Sequence, residues 1–193
     1  MRLSPRSLRP HIVCWSVTFL FVLACSGPGG PGEDGLAAGR IAPLLEGMGD
    51  HHFDITTGSE EAQRFFDQGL VLAYGFNHAE AARSFRQAIA LDADCAMCQW
   101  GLSLVLGPNI NAAMEPADLP EAWQALQRAT ELAAGATPRE QAYIGALGER
   151  YAAEWPDDRS DLDLAYADAM REVWAGHPAD PDAGALFAEA LMD

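Results

Sequence analysis

SEEAQRFFDQGLVLAYGFNHAEAARSFRQAIALDAD, residues 59–94, is the stretch that decides the fold. Ser59 offers a capping hydroxyl just ahead of Glu60 and Glu61, two acids that suit the positive end of a helix dipole. Phe65, Phe66, Leu70, Leu72 and Ala73 then recur at helical spacing. A turn is expected near Gly75–His78. A second helix follows from about Ala79 to Leu91, with Ala81, Phe85, Ala88 and Ile89 on one face. The stretch therefore reads as two helices reversed on each other within about 34 residues.

The unit recurs downstream. A second pair starts at Ala96 and places Ala122, Leu126 and Ala129 on its second helix, with Ser103 as its small crossing residue. An insertion, PNINAAMEPADL (108–119), separates its helices. A third pair covers roughly 138–151 and 162–175, with Ala169 and Val173 in the corresponding positions. Pro181 closes that unit, and 184–192 reads as the first helix of a fourth. This period and register resemble the tetratricopeptide repeat. Counting Ala62 as position one, Phe65 falls on the bulky position four and Gly69 on the small position eight. Leu72, Ala81, Phe85 and Ala88 fall on eleven, twenty, twenty-four and twenty-seven. The resemblance implies an all-α solenoid of antiparallel helical hairpins whose first helices line a concave groove.

On that resemblance the groove positions are Phe66, Asp67, Leu70 and Tyr74 in the first repeat and Trp100 in the second. The Lys, Arg and Asn of carboxylate-clamp repeats are missing there. An apolar, aromatic groove with acidic spots suits an extended or helical peptide with basic flanks instead. Phe66 and Trp100 packing against the lead-in or a neighbouring repeat is the competing reading. Asn109 and Asn111, in the inserted loop, are further candidates for partner contact, because a long ordered insertion on a solenoid often binds. An Asn-stabilised turn explains the same residues.

The N-terminus reads as an export signal. Three Arg (Arg2, Arg6, Arg9) precede an apolar run from Ile12 to Ala24, too short for the roughly 20 residues that span a bilayer. Val22-Leu23-Ala24-Cys25 resembles the lipobox of bacterial lipoproteins, which implies a lipid on Cys25. Ser26 after it implies the outer membrane, facing the periplasm. The expected division is a signal peptide over 1–24, a flexible Gly/Pro-rich linker over 25–46 and a helical repeat domain over 47–193. His52-Phe53, Phe65–Leu70, Tyr74–Ala81, Cys95–Gly101 and Gly107–Met114 together resemble a group of exported bacterial tetratricopeptide-repeat proteins. The last helix has no polar cap in the sequence, so the chain is expected to be the N-terminal part of a longer protein.

Past Ala24 there are nine basic against 28 acidic residues, a net charge of −19. Such a surface disfavours nucleic acid and attracts basic peptides and cations. Cys95 and Cys98 form a C-x-x-C at a helix start. Redox chemistry of the thioredoxin kind would want a preceding strand. Haem attachment would want His where Gln99 stands. Metal binding would need two more ligands, for which His51 and His52 are the candidates, beside Met97 and Met114. Buried thiols or a local disulfide account for the same pair. No nucleophile–base motif, zincin motif or phosphate loop occurs, so the chain is read as a non-enzyme with no cofactor. The leading expectation is an envelope-tethered scaffold for a protein or peptide. The alternative is a copper- or zinc-handling protein built on the Cys, His and Met groups.

Overall fold

The computed structural model describes residues 39–192; the expected signal segment, Cys25 and the first part of the linker lie outside them. Among the described residues there are seven α-helices: α1 (Glu60–Tyr74), α2 (His78–Leu91), α3 (Ala96–Leu106), α4 (Leu119–Leu132), α5 (Pro138–Gly148), α6 (Ser160–Gly176) and α7 (Pro181–Ala190). Among the described residues there is no strand, only a single bridge between Asn109 and Ala112. Each helix packs on its neighbours in the chain, and α3 also touches α1 and α5.

Local chemistry sets the helix ends. Ser59 Oγ accepts the Ala62 N–H at 3.1 Å, so the expected cap is present. Thr137 and Glu140 form a reciprocal capping box at α5. Asp180 caps α7, with Pro181 in its first turn. Pro181 thus opens the last helix, where the repeat register had placed it as the close of the previous unit.

Two glycines let the first three helices approach. A Cβ on Gly69 would lie 2.6 Å from Phe85 Cζ, and one on Gly101 would also fall inside the Phe85 ring's contact shell. Phe85 therefore lies over bare backbone on both α1 and α3. Gly69 was legible from the register. Gly101 was not, because Ser103 held the corresponding position; Ser103 is instead fully buried, and its carbonyl accepts the Tyr151 hydroxyl at 2.5 Å.

The core is aromatic. Phe66 of α1 lies 6.4 Å from Trp100 of α3, Trp100 lies 5.6 Å from Tyr143 of α5, and Phe53 lies 5.3 Å from Tyr143 and 5.7 Å from Phe66. Phe53 precedes the first helix, so the lead-in closes a cycle of four rings. Each such contact contributes on the order of 1 kcal/mol beyond burial.

Gly101→Ala should overpack the Phe85 site and lower stability by roughly 1–3 kcal/mol in urea unfolding. Gly145→Ala, at a helical position with open space around the added methyl, should be neutral or mildly stabilising, by up to about 1 kcal/mol.

Candidate functional site

The odd-numbered helices share one face, and residues 40–57 run along it. This lead-in is extended, so its backbone polar groups need partners, and side chains supply them. Gln68 accepts the Leu45 N–H at 2.7 Å and donates to the Pro43 carbonyl at 3.0 Å. Gln63 accepts the Ile55 N–H at 3.1 Å and donates to the Phe53 carbonyl at 2.8 Å. Each amide thus serves two lead-in residues spaced by two, as a neighbouring strand would. Gln87 takes the Ile41 N–H, and Asp67 the Phe53 N–H. Glu140, almost wholly buried, accepts from Thr56 N at 2.6 Å, Thr56 Oγ1 at 2.7 Å and Thr137 N at 2.7 Å. Burial pushes its pKa up, but these hydrogen bonds outweigh that and hold it below the ordinary 4.5.

Ala42 is fully buried and Arg40 is paired with Glu61. The flexible linker expected up to residue 46 therefore gives way to a docked segment by residue 40. Gly/Pro content suggested flexibility, but Gln68, Gln87 and Arg83 bind the backbone of 41–45.

The two histidines anchor the lead-in on different carboxylates. His52 Nδ1 is 2.8 Å from Asp67 Oδ2, and His51 Nε2 is 3.1 Å from Asp182 Oδ1. The hydrogen bond to Asp67, then its charge, raises the His52 pKa above 6.5. The Tyr74 hydroxyl also donates to Asp182, at 2.7 Å, and enclosure of that end with the carboxylate beside it raises the Tyr74 pKa well above 10.0. Next to it, Asp180 holds Arg139 at 2.7 Å and the Tyr143 hydroxyl at 2.8 Å. The Arg139 guanidinium lies 3.7 Å from the centre of the Phe53 ring, capping it.

The lead-in covers only the N-terminal half of the shared face. At the other half, the C-terminal ends of α1 and α3, the loop after α3 and helix α7 enclose an open pocket of about 210 Å³. Ala73, Leu104, Val105 and Leu186 give it apolar walls, and Arg150 and Asn109 add polar groups. Tyr74, Phe76, Ile110 and Met192 stand at its rim, large apolar side chains that remain exposed. Phe76 is 51 % exposed and has φ +58°. Its N–H bonds to the Ala73 carbonyl at 2.9 Å, and the Asn77 N–H to the Leu72 carbonyl at 2.8 Å. That is the Schellman ending of a helix, with Phe at the left-handed position where Gly is usual. Gly75, one residue earlier, has ordinary φ. His78 lies beside Phe76, with ring centroids 6.3 Å apart, as the first residue of α2.

The expected groove residues separate into three groups. Phe66, Leu70 and Trp100 are fully or almost fully buried and offer nothing to a partner: the lead-in and the neighbouring helices cover them. This corrects their reading as groove lining and bears out, for Phe66 and Trp100, the competing reading that they pack against the lead-in and the neighbouring helices. Asp67 is spent on the lead-in. Tyr74 and Asn109 do line the open pocket. Asn111 is exposed, and its N–H bonds to Asn109 Oδ1 at 3.0 Å, an Asx turn internal to the loop. Cys95 and Cys98 are fully buried and joined as a disulfide, with Cys95 Sγ also capping α3. The metal set expected from His51, His52, Cys95 and Cys98 is not gathered: the cysteines hold each other and each histidine faces its own aspartate. Among the described residues no group of three or more His, Cys, Asp or Glu side chains is placed to hold a metal ion. Sequence reasoning missed Phe76, Ile110 and Arg150. The left-handed turn and the meeting of α3's loop with α7 depend on tertiary arrangement, which periodicity does not carry.

Searches of protein-family models, curated proteins and solved structures found no match to this chain.

Lead-in docking should depend on pH. His52, raised in the fold, contributes fully below about 6.5 and loses its contribution as pH rises through its folded value. Glu140, lowered in the fold, contributes above about 4.5 and loses it as pH falls through its folded value. Amide protection at Phe53, Ile55 and Thr56 should therefore be greatest between these limits in hydrogen exchange. Asp67→Asn should move the His52 titration toward 6.5 and abolish the alkaline decline. Glu140→Ala, which leaves the Thr56 and Thr137 N–H groups without their acceptor, should cost about 2–4 kcal/mol.

Proposed function

We propose that this chain is an envelope-tethered scaffold of tetratricopeptide type that binds a protein or peptide partner on the open half of its inner face. The observation that carries the reading is the lead-in itself. The same helices already hold one extended segment, by side chain-to-backbone hydrogen bonds and an inserted aromatic ring, and leave a concave apolar pocket beside it. The hairpin order and the close crossing at Gly69 support the repeat assignment. The lipobox-like Val22–Cys25 supports a lipid anchor on Cys25 and a place at the outer membrane, facing the periplasm. Among the described residues no helix is long and apolar enough to cross a membrane. The metal-handling alternative needs Cys and His groups to converge, and their present partners keep them occupied elsewhere.

A photo-crosslinking residue at Ile110 should give a discrete protein adduct in cells, whereas one at Glu172, exposed on α6, should not. Cys25→Ser should release the chain from the membrane fraction. Equal adducts from both positions, or none from Ile110, would remove the reading.

A further inference from the structure

We propose that the open pocket receives one aromatic side chain of an extended partner segment whose flanking residues are Lys or Arg; this deepens the scaffold reading and rests on it.

Size points to a single ring. An apolar protein cavity of about 150 Å³ holds one benzene molecule, and this pocket, at about 210 Å³, has room for a phenol or an indole. The lining is of the kind that binds such groups: apolar walls with a few polar atoms to orient the guest.

The occupied half of the face shows what the other half is suited to take. There Phe53 of the lead-in inserts between Phe66 and Tyr143 with the Arg139 guanidinium over its ring. In the open half Arg150 contributes to the pocket wall, while its own guanidinium is buried over the Tyr166 ring and paired with Glu189. The same face thus holds one inserted ring, Phe53, and leaves an apolar hollow beside it.

Phe76 supplies an independent observation. A left-handed backbone costs a residue other than Gly roughly 1–2 kcal/mol, and half of this ring remains in water. A ring held at the rim of a pocket gains its contact area when a partner arrives.

The overall charge of the chain favours basic flanks. Eight of the nine arginines among the described residues are already paired with carboxylates. The chain nevertheless carries a net charge of −16. The surplus carboxylates attract a basic segment and speed its approach, more so at low salt.

The test uses the full chain, isotope-labelled, with three short peptides: Lys-Lys-Gly-Trp-Gly-Lys-Lys, the same with Ser for Trp, and the same with Glu for Lys. The first should shift the resonances of Tyr74, Phe76, Ile110 and Met192, and should weaken as salt is raised. The other two should bind roughly tenfold or more weakly. Phe76→Gly should lose binding by a similar factor without a lower melting temperature, since it relieves the left-handed strain. Ala185→Trp, which fills the pocket from an exposed position on α7, should also lose it. The proposal is overturned if the Ser peptide binds as well as the Trp peptide, if the Glu peptide does, or if the shifts fall on Phe53 and Ile55. It is equally overturned if free indole binds as tightly as the peptide, which would make the site one for a small molecule. Should the Trp peptide fail while the adduct at Ile110 persists, only the partner chemistry falls; loss of that adduct would remove the scaffold reading beneath it.

Discussion

Phe53 is the ring on which the rest of the domain depends. Phe66, Trp100 and Tyr143 come from three different helices, and each would present an aromatic face to water along the inner side of the stack. Phe53 fills the space they share and leaves the closed cycle almost wholly buried. Bringing it there drags an extended backbone over the helices, and that backbone must be satisfied. Gln63, Asp67 and Gln68 of α1, Gln87 of α2 and Glu140 of α5 meet the demand, which explains amides and acids on helix faces turned toward the lead-in. The buried carboxylate of Glu140 is tolerable because its two oxygens take three donors.

The helices were legible because periodicity, caps and turn residues agree. Ser59, the 59–94 pair, the start of α3 and the long insertion after it all follow from local pattern. The site was legible only in part. Helical spacing distinguishes an apolar face from a polar one, so Phe66, Leu70 and Trp100 stood out. It does not choose between an open groove and packing against the lead-in, and both readings stood until the structure showed the second. Residues 40–57 have no periodicity to read, and the flexible linker expected over 25–46 did not anticipate the hydrogen bonds that fix residues 41–45. Tyr74 and Asn109 reached the pocket because they lie at the ends of their elements, beyond the reach of the lead-in. Phe76 escaped notice because Gly75 beside it looked like the residue that would end the helix.

The inner face is thus divided between two uses. One half is stabilised by a segment of the chain itself; the other retains exposed Tyr74, Phe76, Ile110 and Met192 around an apolar hollow. Tyr74 belongs to both. Its hydroxyl joins His51 at Asp182, while its ring forms the pocket rim. The Asp180–Asp182 turn at the start of α7 likewise ties α5, through Arg139 and Tyr143, to the lead-in's His51. The pocket's position is consequently set by the same polar contacts that seat the lead-in.

The order of those contacts along the chain has a mechanical consequence. From the N-terminal end, the fastenings come one after another: Ile41 on Gln87, Leu45 on Gln68, Phe53 on Asp67 and Gln63, Thr56 on Glu140. Tension applied at residue 40 loads the first of these before the next, a peeling geometry in which bonds yield singly and at low force. The helices, whose hydrogen bonds and packed rings share a load collectively, stay folded while the strap gives way. A domain held by its N-terminus at a surface would therefore lengthen in small steps under strain, with Phe53 and then Thr56 on Glu140 as the last holdfasts.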